Sequence, residues 1–420
     1  MKRIILTAAA LLLLSLCSIA QVTNVLDVVK ADRNKIAGCE SPYRFEEDRQ
    51  GTPAPKGFKP FYISHYGRHG SRFAWNSKTY TLIHEALEKA NEKGLLTERG
   101  KRFREDYLAF YEVPLANAGD LTELGWEQHT RIATNIYAAY KNVFRKGGIV
   151  NTMASVTPRA IVSMNAFDVA IQKCNPRLSV TGNSLHTNLA IVVPPRAPEL
   201  VAHHYNEPRP LPGGEKLYDF AARMIDEDAV LGNIFSDTSF IGDKLARQRL
   251  LYQLFTLWAG YRNYCDNLFM EDIFTPEQQL ALWEIENYAC YTEHVIPCAE
   301  EKNLIDNIID YAERAIAGNG VVMDARFGHD TVFNALCPEL NVNGSGHLPE
   351  SADDVKYWFQ NYNTPKAATI VFVLYRSRKP ADGILFKVVR NGIEVALPQL
   401  KAVSGPYYRW EDFKAWRKTI

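Results

Sequence analysis

Residues 61–72 read Phe61-Tyr62-Ile63-Ser64-His65-Tyr66-Gly67-Arg68-His69-Gly70-Ser71-Arg72. The first half is aromatic and β-branched with polar residues interleaved, which is a strand pattern. The second half sets two arginines and a histidine around a glycine, where such a strand would end. In open α/β sheets ligands sit outside the carboxyl ends of the strands. This junction therefore constrains the fold more than any other stretch of the chain.

The residue types suit phosphoryl transfer. A neutral imidazole can attack phosphorus, and a covalent intermediate splits one hard displacement into two easier ones. Guanidinium forks match phosphate oxygens bidentately and stay charged at any working pH. Gly70 has no Cβ, so the backbone is expected to approach the ligand closely.

A second junction of this kind lies far downstream. Gly320 to Phe327 is an apolar strand candidate, and Gly328-His329-Asp330-Thr331 follows it. An alkoxide is a poor leaving group, so a proton donor matters by roughly 10²–10⁴-fold. A carboxylic acid beside bound phosphate has its charged form disfavoured, so its pKa is expected to rise. That makes Asp330 the candidate acid and His329 a further phosphate ligand. Taken alone, Asp330 would read as a helix N-cap.

Between the two, Ile149 to Val156 reads as a strand leading into Thr157-Pro158-Arg159 and a helix over 160–170. Ser155-x-x-x-Arg159-x-x-x-Ser163 offers a third arginine. Upstream of it, Leu121-Thr122-Glu123-Leu124-Gly125 opens a helix running to about Phe144, with Thr122 as N-cap.

The Arg68-His69-Gly70-x-Arg72 pattern, the 155–163 segment and His329-Asp330 together resemble the histidine phosphatase clan, and within it the acid phosphatase and phytase branch. The resemblance covers most of the chain thinly. It implies an α/β fold, a phosphoglycerate-mutase-like mixed sheet with helices on both faces, capped by a mainly helical domain. The expected division is 21–74, 119–195 and 318–420 for the core, with 75–118 and 196–317 for the cap. It implies that His69 is the nucleophile and Asp330 the proton donor, with Arg68, Arg72, Arg159 and His329 holding the phosphoryl oxygens. No metal or other cofactor is implied. The implied partner is a small-molecule phosphomonoester, with inositol phosphates such as phytate the leading class. Two departures stand out. The branch often has proline two residues after the second arginine, where this chain has Phe73-Ala74. The related multiple inositol polyphosphate phosphatases usually read His-Ala-Glu at the second motif. Two other functions fit the same residues: a mutase that returns the phosphoryl group to substrate, and a non-catalytic phosphate-binding module.

The chain is 420 residues long with formal net charge +0, which gives no basic field for nucleic acid. Residues 1–20 read as a signal peptide: Lys2 and Arg3, an apolar run from Ile4 to Leu16, then Ser18 and Ala20 before a cut at Gln21. The run is too short for a permanent membrane span. Export to the periplasm or beyond is the expected outcome, with a lipid anchor on Cys17 as the lesser alternative. Six cysteines would then remain: Cys39, Cys174, Cys265, Cys290, Cys298 and Cys337. They permit disulfides without fixing their connectivity, and Cys290 with Cys298 is the closest pair in sequence. Residues 21–60 read as an irregular lead-in, and 194–214 as a proline-rich connector containing His203-His204. The segment from Glu215 to Ala317 reads as almost purely helical. Leu178–Thr181, Leu189–Val193, Ala368–Tyr375 and Ile384–Val389 are further strand candidates, and the aromatic tail 406–416 is expected to pack on the sheet.

Overall fold

The computed structural model describes residues 22–45, 51–193, 212–267, 269–295 and 302–419. The leader with Cys17, the connector as far as residue 211 with His203-His204, and Cys298 lie outside these residues.

The strands are β1 (Phe58–Arg68), β2 (Gly148–Ala154), β3 (Leu178–Asn183), β4 (Val321–Gly328), β5 (Thr369–Ser377), β6 (Ile384–Arg390), β7 (Ile393–Val395), β8 (Ala402–Ser404) and β9 (Tyr407–Arg409). They form one mixed sheet in the order β3-β2-β4-β1-β5-β6-β9-β8, with β7 paired to β6. The first four in that order are mutually parallel, and β5 returns antiparallel beside β1. The strand carrying the first motif is thus central. It is buried continuously from Tyr62 to Arg68, which explains why its sequence is dense in large residues instead of alternating cleanly.

The helices that matter here are α1 (Val25–Lys30), α2 (Arg33–Ile36), α3 (Lys78–Glu92), α4 (Glu98–Ala116), α5 (Glu123–Ala139), α6 (Pro158–Cys174), α7 (Lys244–Gly260), α8 (Pro276–Cys290), α9 (Lys302–Ile316), α10 (Asp330–Glu339) and α11 (Trp410–Arg417). On one face of the sheet, Ile305, Phe333, Leu336 and Phe413 from α9, α10 and α11 pack on Tyr62, Phe372 and Phe386. On the other, Ile132, Met164 and Phe167 from α5 and α6 pack on Ile63, Val150 and Val373. A separate helical core joins Tyr80, Phe103, Leu254, Trp258 and Trp283 from α3, α4, α7 and α8. Start signals act as read: the Thr122 hydroxyl accepts from Gly125 N–H at 3.3 Å. Thr275 and Gln278 form a reciprocal capping box, which satisfies two otherwise unpaired N–H groups.

Three expectations are corrected. Leu189–Val192 is a helical turn, not a strand; a four-residue apolar run carries no period to separate the two. The lead-in is not irregular, since it holds α1, α2 and a 3₁₀ turn at Gly38–Glu40. The helix after His329 begins at Asp330, two residues before the expected Val332.

Candidate active site

Strands β1 and β4 are parallel neighbours, with Arg68 opposite Gly328. His69 N–H donates to the Gly328 carbonyl at 2.9 Å, and His329 and Asp330 follow at once. The two motifs therefore leave adjacent strands at the same edge. The His69 and His329 rings lie 5.5 Å apart between centroids, edge to face at 68°.

His69 is 1% exposed. Its Nδ1 lies 2.9 Å from the Gly70 carbonyl oxygen. A carbonyl only accepts, so Nδ1 carries the proton and Nε2 keeps its lone pair. Burial first, then Arg68, Arg159, Arg72 and His329, hold the imidazole pKa well below its ordinary value. The ring is therefore neutral above the ordinary histidine pKa, the state in which an imidazole can act as a nucleophile.

The arginines surround it. Arg68 is fully buried; its Nη1 donates to the carbonyls of Cys39 and Thr364, and its Nη2 pairs with the Asp330 carboxylate. Arg72 Nη1 donates to the Phe73 carbonyl at 2.9 Å. Arg159, in the first turn of α6, has its pKa drawn down to about 10 by burial and by Arg72. Among the described residues the Nε of all three finds no acceptor. Buried donors without partners suit an oxyanion. His329 is held by Tyr66, whose hydroxyl accepts from the His329 N–H at 3.1 Å, and by Ser155 Oγ, 2.9 Å from Nε2. Burial and Arg159 lower its pKa to about 4, so it too is neutral at most pH values.

The fold-level comparison follows from this geometry. No protein-family model matches the chain, and no curated protein matches it. Solved structures do. The Bifidobacterium longum multiple inositol polyphosphate phosphatase, in complex with inositol hexasulfate, superposes with TM-score 0.74 over 91% of this chain and 97% of that one, at 16% identity. The D. castellii phytase gives 0.65 over 92% and 85%, at 13% identity, and the Klebsiella sp. ASR1 phytase 0.55 over 86% and 95%, also at 13%. The chain has the histidine acid phosphatase fold. At these identities the likeness speaks for the fold alone, so the chemistry rests on the residues themselves.

In the free chain Asp330 and Gly70 each have a protein partner of their own. Asp330 does not have a raised pKa in the free chain. Burial alone would raise it, but Arg68, His294, Lys366 and His69 outweigh burial and hold the carboxyl well below the usual range. The expectation assumed a bound phosphate; without one, Arg68 is the carboxylate's partner. Gly70 is also needed for a different neighbour. A Cβ there would sit 2.6 Å from the Gly125 carbonyl oxygen on α5, and one on Gly125 would meet the Ser71 carbonyl at 2.3 Å. The two glycines let α5 press directly against the motif loop. Ser163 completes the support: its Oγ accepts from Gly70 N–H at 3.0 Å and donates to the Arg159 carbonyl at 2.8 Å.

Sequence reading missed two residues, Glu40 and Lys366. Glu40 Oε1 lies 2.7 Å from Lys366 Nζ, 3.3 Å from Arg72 Nη2 and 4.0 Å from Arg68 Nη2. Lys366 is fully buried. Its loop is stitched to the site: Lys366 N–H donates to the Ser41 carbonyl and Ala367 N–H to the His69 carbonyl. Ala367 takes φ 60° to do so, a strained conformation that persists only where its surroundings fix it. The one available signal was charge at positions bearing no motif, which is too common to select them. Among the described residues no disulfide forms; Cys39 and Cys290 bring their Sγ atoms to 3.9 Å.

Proposed function

We propose that the protein hydrolyses phosphomonoesters through a phosphohistidine at His69. The observation that carries this reading is the neutral, proton-committed imidazole of His69 among three arginines whose Nε donors have no partner among the described residues. Arg68, Arg72, Arg159 and His329 hold the phosphoryl oxygens. The His69 Nε2 lone pair forms a bond to phosphorus while the ester P–O bond breaks. Substrate oxygens displace Asp330 from Arg68, and the carboxylate, now beside a dianion, takes up a proton and delivers it to the leaving oxygen. Water then attacks the phosphohistidine, its proton passes to Asp330, and phosphate departs.

Inositol phosphates, phytate among them, are the leading substrate class, and sugar phosphates come next. The fold shared with phytases and an inositol polyphosphate phosphatase supports that choice. The protein acts after export, on the reading of residues 1–20, and among the described residues no helix is long and apolar enough to cross a membrane. A phosphate-release panel of phytate, glucose phosphates and nucleotides tests the assignment. Release of phosphate, fastest from phytate, is expected. Isomerised substrate without free phosphate would point to a mutase, and no turnover to a binding module.

A further inference from the structure

Glu40 stands where a negative charge is least expected in a site for an anion. It comes from the lead-in turn, 28 positions before the first motif arginine in sequence, and it touches Arg72 through the Nη2 that a phosphate oxygen would also want. Lys366 opposes it at 2.7 Å with no exposure to solvent. Burial disfavours the Glu40 carboxylate, but Lys366, Arg72 and Arg68 outweigh burial and bring its pKa down to about 2, so it stays ionised at every working pH. With both histidines neutral, the three arginines and Lys366 face the Glu40 and Asp330 carboxylates. Burial, then Arg68 and Arg72, draw the Lys366 ammonium pKa well below its ordinary value, and Glu40 opposes them.

We propose that Glu40 is a positioning residue of this cradle: paired with Lys366, it aims Arg72 and restrains the site's positive charge, so that phosphate is held loosely enough to leave. The inference rests on the hydrolytic reading above and deepens it. A site that binds ground state and product as tightly as the transition state gains nothing in turnover. A fixed carboxylate within 4 Å of two phosphate-binding arginines weakens product binding by simple Coulomb repulsion, strongly so in a medium less polarisable than water.

The test is calorimetric binding of inorganic phosphate to the full chain, beside steady-state hydrolysis of p-nitrophenyl phosphate and a melting curve for each variant. Glu40→Gln is expected to bind phosphate about tenfold more tightly and to turn over more slowly. Lys366→Met is expected to bind it about tenfold more weakly. Glu40→Gln/Lys366→Met removes one charge of each sign, so phosphate affinity is expected within about threefold of the wild type, with a lower kcat because Arg72 loses the carboxylate that aims it. A purely structural role would weaken binding in both single variants. Unchanged or weaker binding by Glu40→Gln overturns the proposal. If a single variant does not fold, the paired replacement decides: affinity more than about tenfold from wild type overturns it too. A wild-type chain that binds phosphate but releases none from esters would end the hydrolytic reading and leave the binding comparison standing.

Discussion

Arg68 and Asp330 form an ion pair across the ends of two adjacent parallel strands, although 262 positions separate them in sequence. The pair occupies one arginine of the resting site. On the proposed mechanism it also sets the order of events: an incoming phosphoryl group first takes Arg68 from Asp330, and only then does the carboxyl become a proton donor.

That order predicts a leaving-group dependence. Asp330→Asn should lose roughly 10²–10⁴-fold in kcat on alkyl phosphates such as phytate. The loss on p-nitrophenyl phosphate should be far smaller, because a phenolate departs without help. Parallel kcat measurements on the two substrates check this, and equal losses count against the acid role.

The same order gives the activity a pH direction. In the complex Asp330 must hold a proton, so kcat should be greatest at acidic pH and fall as pH rises through the complex's pKa. In the free chain the Asp330 pKa is depressed. Its ion pair therefore contributes stability above the ordinary carboxylate pKa and loses it as pH falls. A pH–kcat profile with an alkaline optimum contradicts the assignment.

Acid should also strain the core. His65 and His129 are fully buried; among the described residues neither ring nitrogen of His65 has a hydrogen-bond partner, and His129 has only the Arg68 backbone to favour its charged form. Burial, with His129 adding repulsion at His65, lowers both pKa values to about 3. The unfolded chain takes up these protons near the ordinary histidine pKa, the folded chain only near 3. Stability is thus intact above roughly pH 6.5 and falls as pH drops toward 3, by on the order of 3 kcal/mol per histidine at pH 4. Urea unfolding of His65→Leu should show a smaller gap between pH 7 and pH 4 than the wild type; an unchanged gap refutes the account.

Gly70→Ala tests the backbone contact beneath the motif. The added methyl would press on Gly125 of α5 at 2.6 Å. Overpacking of this kind costs about 1–3 kcal/mol, and the shift falls on the residue after His69. Lower stability by denaturant titration and at least about a tenfold loss in kcat are expected. Wild-type values on both counts would show that the loop tolerates displacement.

The sequence was most legible where local pattern and chemistry coincide. The strand entering Arg68, the Pro158 start of α6, the Thr275 capping box and the strand before His329 each follow from a few neighbouring residues. Sheet order is non-local and was not read from the sequence; the meeting of the two motifs is non-local too, and the family resemblance implied it. What stayed hidden had no local signature. The edge strands β7, β8 and β9 are three residues each, too short to show a period. Glu40 and Lys366 become part of the site only when the turn at Gly38–Glu40 and the loop before β5 meet the end of β1. Asp330's ionisation depends on Arg68, a partner that no nearby residue announces.

The central claim is a covalent bond between phosphorus and His69. Rapid mixing with substrate, quenching in alkali to preserve phosphohistidine, and peptide mass spectrometry test it directly. The account predicts one added phosphoryl group on the peptide containing His69, absent from His69→Ala, whose turnover should fall by three orders of magnitude or more. Phosphate release by His69→Ala near the wild-type rate, or a phosphoryl group trapped on another residue, would contradict it.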